Sequence, residues 1–193
     1  MRKIVLATVL LLSTQAIFAQ DGTKERIFKP FKVDVSLGFA SPQGAGTKGG
    51  ILFVVEPKYA VIDALAVGLR METAVMARGI VGSGGQAVSA TVSANASYLA
   101  TADYYLSNKG FRPFLGAGAG MYTLASAELD SNDPNVPDNI PAERKFGFMA
   151  RGGFEAGHFR LGVEYNFIPQ SSGGVQNNYL GIKLGAVIGG GRR

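Results

Sequence analysis

From Phe31 onward, apolar residues return at every second position, and a chain patterned with a period of two has few folds open to it. In 31–40 the apolar set is Phe31, Val33, Val35, Leu37 and Phe39, set against Lys32, Asp34, Ser36, Gly38 and Ala40. Seven further segments repeat the alternation: 51–60, 64–77, 88–105, 111–124, 146–156, 159–167 and 179–189. The expectation is eight half-buried strands in one all-β domain over 31–190.

Charge supplies a second, separate signal. Within these segments Lys32, Asp34, Glu56, Lys58, Arg70, Glu72, Asp103, Arg112, Arg151, Glu155, Arg160, Glu164 and Lys183 all fall on the parity opposite the apolar one. One face of the sheet is therefore expected to be hydrocarbon and the other strongly ionic.

Alternation by itself also fits a soluble barrel or sandwich, which would turn the apolar face inward. Three features favour the opposite arrangement. Arg2 and Lys3 precede an apolar stretch, Ile4 to Leu12, and Ala16 to Ala19 offers a cleavage site after Ala19, so 1–19 reads as an export signal. That stretch is too short for a spanning helix of roughly 20 apolar residues, and no later run approaches such a length. The connections alternate long and short, over 41–50, 61–63, 78–87, 106–110, 125–145, 157–158 and 168–178, as in barrels with short periplasmic turns and longer outer loops. Finally, aromatic residues on the apolar parity gather at two levels: Phe31, Tyr59, Tyr104, Phe111 and Phe159 at the short-turn end, and Phe39, Phe146 and Phe167 at the other.

These readings combine into an eight-stranded antiparallel up-and-down transmembrane β-barrel. It would follow a cleaved signal peptide at 1–19 and a short linker at 20–30, and it would sit in the bacterial outer membrane. Glycine, 27 of 193 residues, is about twice its ordinary share of roughly 7%, which suits tight turns and close strands. Cysteine is absent, so disulfides, cysteine-based metal sites and a lipid-modified cysteine are excluded. The net charge of +5 includes two cations from the signal segment, and no basic run interleaved with aromatics points to nucleic acid.

The stretch FRPFLGAGAGMY at 111–122, with RGGFEAG at 151–157, LGVEYNF at 161–167 and YLGIKLGAVIGG at 179–190, resembles the OmpA/OmpX-like outer-membrane β-barrel family. The resemblance spans 31–190 and implies a barrel, without an activity. The sequence departs from the family at its end, GGGRR, where many members carry a terminal aromatic residue.

A barrel of about eight strands is just wide enough inside for side chains, so its inward charges must satisfy one another. The candidate site is accordingly a structural charge network: Arg70, Glu72, Arg112, Arg151, Glu155, Arg160, Glu164 and Lys183. Gly116, Gly118 and Gly120 form a GxGxG string, but the alternation runs on through Tyr122 where a nucleotide fingerprint needs a helix. They read instead as space for the long side chains of neighbouring strands.

His158, the only histidine, falls in a short turn, away from the outer rim where lipid-modifying barrels of this kind place their chemistry. The acidic loop 125–145, with Glu128, Asp130, Asp133, Asp138 and Glu143, lacks the glycine-centred spacing of a calcium loop. No cofactor, metal site or enzymatic activity is expected. The expected partners are outer-membrane lipid and an extracellular ligand met by loops 41–50, 78–87, 125–145 and 168–178. The alternative is a passive channel for a small solute, including a hydrophobic one.

Overall fold

The computed structural model describes residues 26–43, 47–81, 87–128, 140–171 and 176–193; the expected signal segment lies outside them. Eight strands follow in chain order: β1 (Phe31–Pro42), β2 (Thr47–Ile62), β3 (Leu65–Val81), β4 (Ala87–Tyr105), β5 (Phe111–Glu128), β6 (Ile140–Ala156), β7 (Phe159–Phe167) and β8 (Tyr179–Gly189). Each pairs antiparallel with its neighbours, and β1 pairs with β8 to close the barrel. Val35, for instance, faces Val55 on one side and Ala186 on the other.

The two parities of the sequence become the two walls. All thirteen alternation-phased charges point inward, and none is more than 7% exposed. The outward set is open to the surroundings, with Ile51 at 69% and Leu115 at 61%. This polarity is the reverse of a soluble protein's, so the soluble alternative is overturned: an apolar outer wall needs an apolar solvent.

Rings mark the two levels of that wall. At the short-turn end Phe111, Phe154 and Phe159 run side by side, their centroids 5.0 and 6.1 Å apart. At the other end Phe146 meets Phe148 edge-on at 5.4 Å, and Tyr165 lies 4.6 Å from Phe167.

Strand lengths depart from the sequence expectation chiefly at the long-loop end, although β2 also runs through 61–62 of the expected turn 61–63. A tilted strand crosses a bilayer in about 9–11 residues, which β7 and β8 match with 9 and 11. Strands β2 to β6 have 16 to 19, and the excess lies at the long-loop end. The expected loops 41–50, 78–87 and 125–145 are therefore partly strand, continuing through 41–42, 47–50, 78–81, 87, 125–128 and 140–145. Beyond the hydrocarbon a paired strand needs no apolar outer face, so the alternation used to delimit these strands fades before the pairing does.

The barrel rim is consequently uneven. Strand β6 pairs with β7 only from Phe148 onward, opposite Phe167, so that 140–147 rise past the end of β7. At the short-turn end both chain ends are tied down. Lys29 donates to the Gly191 carbonyl and Arg193 to that of Ile27, at 2.9 and 3.0 Å. The Asp63 carboxylate, in the first short turn, accepts from the backbone N–H groups of Ile27 and Phe28.

Candidate functional site in the barrel interior

The strand parity that clears the outer wall of charge concentrates it in the lumen, where the pairs form two groups. In the first, β6 supplies Arg151, whose Nη1 and Nη2 grip both oxygens of Glu56 on β2 at 2.7 Å, while its Nε donates to Asp103 on β4 at 2.7 Å. Lys58 stands among Asp103, Glu56 and Asp34 at 3.0, 3.3 and 3.5 Å. Arg160 reaches Asp103 and Asp34, both at 2.9 Å, and also pairs with Glu155. Lys32 closes the group on Glu155 at 2.7 Å, and the Tyr105 hydroxyl accepts from Lys32 while donating to Glu155.

The second group lies nearer the long loops. Arg70 on β3 pairs with Glu72 and with Glu164 across the lumen, and both contacts use Nη2. Lys183 holds the other Glu164 oxygen at 2.6 Å, Tyr179 donates to Glu72, and Tyr122 donates to Asn166 at 2.8 Å. Arg70 Nε and Nη1, Ser97 Oγ and Asn166 Nδ2 are buried without a hydrogen-bond partner. A cluster including Ala40, Leu52, Met76, Leu124, Ile168 and Tyr179 packs around this group.

Six cations (Lys32, Lys58, Arg70, Arg151, Arg160, Lys183) thus meet six carboxylates (Asp34, Glu56, Glu72, Asp103, Glu155, Glu164). Seven of the eight residues singled out from the sequence are in this set. The eighth, Arg112, is not: it sits at the short-turn rim, donating to the main-chain carbonyls of Ser107 and Asp63. Its guanidinium lies over the rings of Phe28 and Tyr105, at 4.0 and 4.1 Å. Being the second residue of β5, it shares the inward parity without reaching the depth of the others.

The eight-residue list also left out the hub of the first group, Asp34, Glu56, Lys58 and Asp103, and the tyrosines Tyr105, Tyr122 and Tyr179. Inward parity marks all of these. Asp63 lies in a turn, where parity has no meaning, and nothing in the sequence singles it out.

Glycine makes the packing possible at one decisive point. A Cβ on Gly116 would come within 2.2 Å of Asp103 Oδ1 and 3.1 Å of Arg151 Nε, so this strand position must lack a side chain for the Asp103–Arg151 pair to form. Between Ser36, Phe114, Arg151, Arg160 and Lys183 the lumen leaves no volume that a water molecule could enter. His158 is in the short turn between β6 and β7, its Nδ1 2.8 Å from the Val187 carbonyl. Much of the acidic loop, 129–139, lies outside the described residues.

No protein-family model matches the sequence, and no curated protein matches it. Solved structures do. The chain is similar to Neisserial surface protein A, with a TM-score of 0.56 at 16% identity, over 84% of this chain and 98% of that one. Matches also extend to the outer membrane protein OprG from Pseudomonas aeruginosa (TM-score 0.47, 11% identity, 85% and 98% covered) and to Ail, the attachment invasion locus protein of Yersinia pestis (0.45, 14%, 83% and 99%). The first of these likenesses shows the fold, that of a small outer-membrane barrel. The inverted polarity of the two walls makes a bilayer its solvent.

Proposed function

We propose that this protein works by display: the barrel is an anchor in the outer membrane, and the connections 41–50, 78–87, 125–145 and 168–178 meet a partner outside the cell. The observation that carries this reading is the buried salt-bridge network that fills the lumen. A pore needs a continuous water path, and the gap between Ser36, Phe114, Arg151, Arg160 and Lys183, which admits no water, counts against one. The charges that fill it are committed to one another, so opening a path would strand buried ions, at a cost of several kcal/mol for each.

A second observation agrees. Strands β2 to β6 run well past the length a bilayer requires, which carries their connections away from the membrane surface. A scaffold for passage alone has no need of that extension.

Planar-bilayer recording of the refolded protein tests the reading. No discrete conductance steps are expected. Reproducible steps that shift when Arg151 or Lys183 is substituted would favour passive passage through the lumen instead.

A further inference from the structure

The short-turn mouth of the barrel holds a cup of about 180 Å³, lined by Phe28, Lys32, Lys109, Gly110, Arg112, Glu155, Gly157, His158, Val187, Gly189–Gly191 and Arg192. Its one carboxylate, Glu155, is already taken up by Lys32, Arg160 and Tyr105. Three further cations face the same space, and among the described residues Arg112, Lys109 and Arg192 form no ion pair with a carboxylate.

Arg112 is the informative member, because it is only 7% exposed. The rings of Phe28 and Tyr105 pack against it, and its Nε and Nη2 donate to carbonyls, which are neutral acceptors. Among these contacts there is no carboxylate, and Nη1 is the guanidinium nitrogen that neither carbonyl takes up. The lumen behind it is balanced six against six, so nothing inside the barrel offsets Arg112. The run Gly189–Gly191 also lines the cup, and at Gly191 the space where a side chain would stand is open.

We infer that this cup is a binding site for a phosphate group. A tetrahedral oxyanion fits the volume, suits the paired donors of a guanidinium, and supplies the negative charge with which Arg112, Lys109 and Arg192 form no ion pair among the described residues. Two sources share that chemistry: a soluble phosphate or phosphate ester, and the headgroup of an anionic phospholipid in the adjoining leaflet. The site lies at the opposite mouth from the connections invoked for display and does not depend on them.

The test titrates the refolded protein with inorganic phosphate, in a zwitterionic detergent and against chloride at matched ionic strength, following the backbone amides of 187–193 by NMR. A parallel arm uses nanodiscs of phosphatidylcholine with and without phosphatidylglycerol. Saturable shifts are expected. Arg112→Gln and the double variant Lys109→Gln/Arg192→Gln should each weaken binding by about tenfold, the worth of one charge-assisted contact.

Arg26→Gln removes the same charge at the same end. Arg26, however, donates to the Ala60 and Val61 carbonyls outside the cup, so this variant should leave binding unchanged. Shifts with free phosphate assign a soluble ligand, and shifts only with phosphatidylglycerol assign a headgroup. Absence of both, or an equal loss in Arg26→Gln, overturns the site. Should Arg112→Gln fail to show heat-modifiable mobility, the double variant, whose two side chains are exposed, carries the test.

Discussion

The two ion-pair groups in the lumen use the same residue types to different degrees. Arg151 engages carboxylates through Nε, Nη1 and Nη2, whereas Arg70 meets both of its carboxylates through Nη2 alone, leaving Nε and Nη1 without partners. Both side chains are buried. The difference shows that filling a barrel with balanced charge is not the same as satisfying it. In the first group only Asp34 Oδ2 lacks a hydrogen bond among the described residues, and it faces Arg160 Nε at 2.9 Å, while the second, beside the long loops, keeps unspent donors among apolar neighbours.

If saturation measures how much each group holds, substitutions should rank accordingly. Arg151→Met strands Glu56 and Asp103 together, and we expect a loss of about 3–5 kcal/mol in urea unfolding from detergent micelles. A loss below about 1 kcal/mol would mean that water reaches this group and the ranking fails. Arg70→Met should cost less, about 1–3 kcal/mol by the same measurement, because Tyr179 still serves Glu72 and Lys183 still serves Glu164. Equal losses for the two variants would erase the distinction between the groups.

Glycine sharpens it from the packing side. Gly116→Ala should cost about 1–3 kcal/mol, since its Cβ would enter the space of Asp103. Gly162→Ala should stay within about 0.5 kcal/mol, as its Cβ would come no nearer than 3.7 Å to the Phe114 ring. Between these falls Tyr122→Phe, which removes one donor to Asn166 and should lower stability by about 1 kcal/mol.

The walls were legible in the sequence because a period of two assigns every strand residue to a face, and thirteen charges on one parity leave little freedom. Partners were not legible. Arg151 finds Glu56 four strands away and Arg70 finds Glu164 across the lumen, pairings set by strand tilt and stagger, which periodicity does not carry. Depth was lost as well: Arg112 has the parity of the network and the position of the rim. Strand ends beyond the bilayer were read as loops because the feature used to find strands, an apolar outer face, is a property of the lipid-facing span. The fold therefore came from pattern, and the site needed coordinates.

Closure is how a barrel escapes the hazard of a free sheet edge, yet the uneven rim restores one. The β6–β7 ladder stops at Phe148 while β6 continues through 140–147, leaving a sheet edge of the kind to which an extended peptide can add. The sequence at that place is Ile-Pro-Ala-Glu-Arg-Lys-Phe-Gly: a proline, which has no N–H to donate, then three consecutive charges. Lys145 further turns to the Gln170 carbonyl at 2.6 Å, holding the chain that follows β7 close to the gap. These are the means by which sheet proteins discourage a second copy from adding a strand. The height that lifts the loops away from the membrane thus carries an aggregation risk, and the composition of β6 counters it.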